Sequence, residues 1–149
     1  MAVSDVERRP ARIGAPATGR WDWPAVRAGA AVCLVFAVPI TVVASLVDDG
    51  PSALFFFGAL LGFVLGSGCA AWVQRVGAPF SHALVTAAGT YLGAQAVFVA
   101  IRLIAGDDVS WSRVLFTLNL VMIAGLAGGF LGSRLQANGI APSVHRSRS

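Results

Sequence analysis

Residues 52–73 read SALFFFGALLGFVLGSGCAAWV, a run of 22 residues without a single charged side chain. About 20 mostly apolar residues are needed to cross the hydrocarbon core of a membrane. Three further segments of the chain meet the same requirement, at about 24–47, 80–101 and 112–131. Backbone polar groups in lipid must be satisfied within their own segment, so each segment is expected to be a helix. The sequence therefore predicts an all-α fold, a bundle of four transmembrane helices at 24–133.

The composition excludes an ordinary soluble domain. Of the 149 residues, 56% are hydrophobic and only 12% are charged, and the mean hydropathy is +0.75. Soluble domains carry about 25% charged residues. The net charge of +4 lies mostly in the two ends of the chain. We therefore expect these basic residues to set how the chain is oriented in the lipid bilayer, and we expect no nucleic-acid partner. The alternative is that they contact anionic lipid headgroups or an acidic partner.

The arginines predict how the chain crosses the membrane. Residues 1–23 and 134–149 are expected to be disordered, basic tails. If the four helices alternate in direction, nine arginines fall on one side, which by the positive-inside rule is the cytoplasm. Both termini are then cytoplasmic, and the protein is expected in the inner membrane. The nine are Arg8, Arg9, Arg12, Arg20, Arg27, Arg75, Arg134, Arg146 and Arg148.

The second and fourth segments resemble each other. Residues 62–67 (GFVLGS) match residues 128–133 (GGFLGS) at four positions, and each run is followed by a glutamine, Gln74 or Gln136. Acidic loops, with Asp48 and Asp49 or with Asp107 and Asp108, precede both segments. The pattern indicates two helical hairpins in the same orientation, which would be a parallel repeat.

Small residues four positions apart predict where the helices pack, because they let two backbones approach closely. Such positions occur in the second, third and fourth segments and are expected to hold the bundle together, although the second or fourth helix could instead offer a face to another protein. Pro39 lies inside the first segment and predicts a kink there. The predicted packing glycines are Gly58, Gly62, Gly66, Gly89, Gly93, Gly125, Gly128, Gly129 and Gly132.

Polar residues inside the membrane form the candidate site. Tyr91, Gln95 and Arg102 share one face of the third helix, and Asn119 enters the fourth helix to a depth similar to that of Gln95. We expect Gln95 and Asn119 to be neighbours, either as interhelical polar contacts or as part of a permeation or ligand site.

Arg102 is expected at the outer end of the third helix. There it either reaches the lipid headgroups or pairs with Asp107, Asp108 or both. His82 is expected to be solvated at the inner membrane interface.

Chemistry-bearing constellations are missing from the sequence. No Asp or Glu lies within a predicted span, whereas proton- or cation-coupled transporters generally need one there. Cys33 and Cys69 fall in apolar segments, where they are expected to be buried small side chains. No catalytic set, metal cluster or cofactor-binding loop is recognisable. We expect neither an enzyme nor a bound cofactor.

One set of positions between residues 53 and 143 forms a pattern shared with other membrane proteins. These positions are Gly58, Gly62, Phe63, Leu65, Gly66, Pro79, His82, Tyr91, Gln95, Phe98, Arg102, Leu103, Gly106, Asp107, Asp108, Trp111, Phe116, Gly128, Gly129, Leu131 and Gly132. The pattern resembles that of a group of small four-helix membrane proteins of actinobacteria. The resemblance implies the fold and supplies no mechanism.

The sequence-based expectation is a non-enzymatic membrane subunit, structural or accessory to a larger envelope complex. Its partner would be another membrane protein or a second copy of the chain. The alternative is a small oligomeric channel or transporter subunit that uses Tyr91, Gln95, Asn119 and Arg102. A water-accessible path past Gln95 would favour the alternative.

Overall fold

A computed structural model of the chain describes residues 21–46 and 52–140, and every regular element in these ranges is an α-helix. The predicted tails up to residue 20 and from residue 141, and the acidic loop with Asp48 and Asp49, lie outside the described residues. The four helices are α1 (Trp23–Leu46), α2 (Ser52–Val73), α3 (Pro79–Ala105) and α4 (Trp111–Ala137).

All four helices are long and apolar enough to cross a membrane. They contain 22 to 27 residues, or roughly 33–40 Å at 1.5 Å per residue. We call the end of the bundle where α1 begins and α4 ends the terminal end, and the end with the turn holding Asp107 and Asp108 the acidic-loop end. The protein is thus an all-helical, multi-pass membrane protein, and which end faces the cytoplasm stays a prediction.

The helix α2 lies in the middle of the bundle. It packs against α1, α3 and α4, whereas α1 and α4 do not touch within the described residues. The close approaches pair small residues on both partners. A Cβ atom added at Gly132 of α4 would lie 2.7 Å from the Ala71 Cβ of α2, and one added at Gly29 of α1 would lie 2.7 Å from the Ala70 Cβ of α2. Packing of this kind replaces the hydrophobic effect as the force between helices in lipid.

Seven of the nine predicted packing glycines lie at helix–helix contacts, and Gly89 and Gly93 do not. A Cβ at either of these two would meet no atom within 4 Å, and both residues are exposed. The prediction for this pair is therefore wrong for the bundle itself, because no described residue packs against that side of α3. Gly29 and Gly68, which were not predicted, lie at the α1–α2 and α2–α4 contacts instead.

The helices α3 and α4 each end in a glycine with a left-handed backbone. Gly106 has φ of 79°, its N–H donates to the Leu103 carbonyl at 3.3 Å, and the Asp107 N–H donates to the Arg102 carbonyl at 3.0 Å. This pattern satisfies the last carbonyls of α3. Gly139 does the same for α4, so both helices run past their predicted ends. The helix α1 continues through Pro39 to Leu46, and the kink predicted at Pro39 stays a prediction.

Candidate functional site

A cavity of about 640 Å³ occupies the acidic-loop half of the bundle. We call it the α1–α3 cleft, because those two helices form its walls. Its floor is made by α2 and α4, and its lining is overwhelmingly apolar. The lining residues are Leu34, Ala37, Val38, Ile40, Val42, Phe55, Phe56, Ala59, Leu60, Phe63, Thr90, Tyr91, Ala94, Gln95, Phe98, Thr117 and Val121.

The cleft exists because α1 and α3 are close at one end only. Near the terminal end Gly29 of α1 faces Thr86 of α3, and a Cβ added at Gly29 would lie 2.9 Å from the Thr86 Cγ2 atom. Beyond that point α1 carries the larger, exposed Leu34 and Val38, while α3 carries the small, exposed Ala94. These residues line opposite walls of a space instead of meeting.

Four polar side chains contribute to the cleft lining: Thr90, Tyr91, Gln95 and Thr117. The Tyr91 hydroxyl donates to the Val114 carbonyl of α4 at 3.0 Å, and its ring makes an edge contact with Phe63. The Thr90 hydroxyl is buried and has no hydrogen-bond partner among the described residues. Gln95 is half-buried. Tyr91 and Gln95 of the predicted polar cluster therefore do share one cavity.

Asn119 is not part of that cavity. Its side chain is exposed, and its amide donates to the Leu115 carbonyl of its own helix at 2.9 Å. The prediction that Gln95 and Asn119 are neighbours is wrong for the described residues, because Gln95 lines the cavity and Asn119 does not.

Arg102 also differs from its predicted pairing. Its guanidinium lies over the Phe98 ring at 5.3 Å from the centroid, and Nη1 donates to the main-chain carbonyl of Asp108 at 3.4 Å. Neither the Asp107 nor the Asp108 carboxylate forms an ion pair with it among the described residues. The predicted Arg102 ion pair is thus replaced by a contact with the loop backbone. Since Phe98 lines the cleft, Arg102 lies beside the end of the cleft nearest the acidic loop.

A second polar assembly closes the terminal end, and it centres on His82. This residue is fully buried, so its prediction as a solvated interfacial histidine is wrong. Its Nε2 atom accepts from the Asp22 main-chain N–H at 2.9 Å, and its Nδ1 atom lies 2.8 Å from the Ala78 carbonyl. This pairing fits a neutral ring with the proton on Nδ1. Trp21 covers the ring, with the centroids 5.4 Å apart.

Asp22 ties the start of α1 to the α2–α3 turn. Its Oδ1 atom accepts from the Ala25 N–H at 3.3 Å in the first turn of α1. Its Oδ2 atom accepts from the Arg75 main-chain N–H at 3.1 Å. One carboxylate therefore connects two elements that are far apart in the sequence.

Gln74 and Gln136 complete the closure. Gln74 Nε2 donates to Gln136 Oε1 at 3.2 Å, and Gln136 Nε2 donates to the carbonyls of Trp72 and Gln74 at 2.8 and 2.9 Å. Gln74 Oε1 accepts from three main-chain N–H groups of the following turn. The sequence signal was the glutamine after each half of the apparent repeat, but nothing in the sequence showed that the two would meet.

No group of three His, Cys, Asp or Glu side chains within residues 21–46 and 52–140 is placed to hold a metal ion. Cys33 is buried and Cys69 is half-buried, and both are free thiols. No family model matches the chain, and no curated protein and no solved structure does so either. The cleft and the surface of the bundle are therefore the features of the protein that bear on its function.

Proposed function

We propose that this protein is a non-enzymatic membrane subunit that acts by packing against a transmembrane helix of another protein chain. The observation that carries this proposal is a small-residue face on α3 that no helix of the bundle covers. We call it the open α3 face; it consists of Gly89, Gly93, Ala96 and Ala100, and all four residues are exposed.

The spacing of these four residues is 4, 3 and 4 positions, which places them along one side of a helix. Helix association in membranes favours small residues in this arrangement, because they allow close van der Waals contact between backbones. Lipid chains gain nothing comparable from glycine. A glycine inside a helix costs about 0.8–1 kcal/mol relative to alanine, and no contact within the bundle offsets that cost at Gly89 or Gly93.

The same kind of surface holds the bundle together where it is covered. Gly125 and Gly129 of α4 pack against Ala87 and Ala83 of α3. A Cβ atom added at Gly125 would lie 2.9 Å from the Ala87 Cβ, and one added at Gly129 would lie 3.0 Å from the Ala83 Cβ. The open α3 face supplies comparable small residues without a helix opposite them. A transmembrane helix is the occupant that would use them.

Affinity purification of the tagged, full-length protein from its own membranes in a mild detergent tests this proposal. Mass spectrometry would quantify the proteins that accompany wild type, Gly93→Leu and Ala127→Leu. Ala127 is an exposed small residue on α4, away from the open α3 face, and serves as the matched control.

The expected result is one membrane protein, or a second copy of the chain, recovered in a fixed ratio with wild type and with Ala127→Leu. Its recovery should fall at least tenfold with Gly93→Leu. Recovery of wild type as a monomer without companions would contradict the proposal, as would companions that Gly93→Leu leaves unchanged.

A further inference from the structure

The volume and the apolar lining of the α1–α3 cleft are not explained by packing between the helices. We propose that it binds one acyl chain of an anionic phospholipid, whose phosphate is held by Arg102. This site lies on a different surface from the open α3 face and does not depend on a protein partner.

The volume of the cleft selects the occupant. Its 640 Å³ lies within the range of about 300–1,000 Å³ that is typical of ligand sites. A methylene group fills about as much space as a water molecule in the liquid, roughly 30 Å³, so about twenty carbons would fit. One lipid chain meets this size. A transmembrane helix about 10 Å in diameter with its side chains would fill roughly 1,200 Å³ over half of a hydrocarbon core about 30 Å thick, about twice the volume of the cleft.

The lining fits a hydrocarbon chain. Phe55, Phe56 and Leu60 of α2 form the floor, and Leu34 and Val38 of α1 form one wall. The polar contribution is small, and the Tyr91 hydroxyl has its partner on α4. Since the four helices cross the membrane, an apolar space between two of them would be filled by the surrounding hydrocarbon and not by water.

Arg102 supplies the charge that an anionic headgroup needs. Its guanidinium lies over the ring of Phe98, which lines the cleft. One of its N–H groups donates to the Asp108 carbonyl at 3.4 Å. A guanidinium has five N–H donors and can bind phosphate through two of them. The carboxylates of Asp107 and Asp108 belong to exposed residues, where water and salt screen their repulsion of a phosphate.

The closed terminal end gives the cleft its direction. His82, Gln74 and Gln136 all have hydrogen-bond partners at that end. An acyl chain that enters beside Arg102 therefore meets the packed terminal end and not a passage through the bundle. Headgroup at the acidic-loop end and chain in the cleft is the arrangement that a lipid of that leaflet already has.

Native mass spectrometry of the purified, full-length protein tests the proposal. The probes are phosphatidylglycerol and phosphatidylcholine with the same palmitoyl and oleoyl chains, added to delipidated protein in detergent. Wild type should take up one phosphatidylglycerol per chain, with at least fivefold preference over phosphatidylcholine.

Two variants fill the cleft from opposite walls: Ala94→Phe from α3 and Val38→Trp from α1. Both residues are exposed, so the larger side chains enter open space and leave the bundle intact. Each should lower lipid occupancy at least tenfold, while the control Ala127→Phe on the α4 surface retains wild-type occupancy.

Arg102→Gln tests the contribution of the headgroup to binding separately from that of the acyl chain. It should keep a bound lipid and lose the preference, with the ratio of phosphatidylglycerol to phosphatidylcholine falling towards one. The proposal is overturned if both cleft-filling variants bind lipid as wild type does, or if wild type shows no preference for the anionic lipid.

Discussion

The two halves of this bundle are built in opposite ways. At the terminal end the helices touch through paired small residues, and His82, Gln74 and Gln136 are buried or half-buried with hydrogen-bond partners. In the acidic-loop half α1 leaves α3, and the polar side chains there line the cleft. A buried hydroxyl without a partner among the described residues occurs in each half, at Thr86 and at Thr90. Polar side chains thus close one half of the protein and line an open space in the other.

The difference indicates which end of the bundle is the more rigid. Every unpaired backbone or side-chain polar group in hydrocarbon costs free energy, so the end where most polar side chains are paired has one favoured arrangement. Among the described residues, no polar side chain that lines the cleft bonds α1 to α3, so that half of the bundle can accept an occupant. Substitutions should therefore have large effects at the terminal end and small effects on stability at the cleft.

Gly128→Leu should have the largest effect. An added Cβ at Gly128 would lie 2.8 Å from the main-chain nitrogen of Gly68 on α2, and a backbone cannot move aside as a side chain can. We expect a loss of about 3 kcal/mol or more in the free energy of unfolding, measured by dodecyl sulfate titration followed by circular dichroism. Gly93→Leu, into open space, is the matched control. Equal losses for the two variants would contradict the packing described here.

His82→Ala should have the next largest effect. The change empties a fully buried site and leaves the Asp22 main-chain N–H without its acceptor, while the Ala78 carbonyl keeps its bond from the main-chain N–H of residue 82. The expected cost is about 2–3 kcal/mol. The same titration measures it, with the exposed neighbour Ser81→Ala as the control. A cost below that of Ser81→Ala would show that His82 is solvated, as the sequence had suggested.

The glutamine pair allows a double-mutant cycle. Gln74→Leu should cost about 1–2 kcal/mol, because three main-chain N–H groups lose their acceptor. Gln74→Leu and Gln136→Leu should couple by about 1 kcal/mol, within the range measured for interhelical hydrogen bonds in membranes. Strictly additive losses would mean that the two side chains do not interact.

The smallest effects are expected at Gln95 and Asn119. Gln95→Leu replaces a polar side chain of the cleft lining with an apolar one, and Asn119→Leu removes only a hydrogen bond within its own helix. Each should change the free energy of unfolding by less than about 0.5 kcal/mol. A larger loss at both positions, with coupling between them, would restore the predicted Gln95–Asn119 contact.

The sequence carried the fold class but only part of the site. Uncharged runs such as residues 52–73 specify membrane helices by themselves, and Gly128 and Gly132 lie at helix contacts as their spacing predicts. Spacing cannot tell which of two small-residue faces is covered, so Gly93 was misplaced. The burial of His82 depends on Asp22, 60 positions away. Contacts of that kind follow from how α1 crosses α3, which no local pattern encodes.

We propose that the polar network at the terminal end closes the bundle, so that the protein binds an occupant in the membrane and does not conduct. Flux across liposomes that contain the purified protein tests this most directly, with imposed potassium or proton gradients and protein-free vesicles as the baseline. Leak at the baseline rate is expected for wild type, Gln95→Ala and Arg102→Ala alike. A leak above baseline in wild type that Gln95→Ala or Arg102→Ala changes would contradict it and favour a channel.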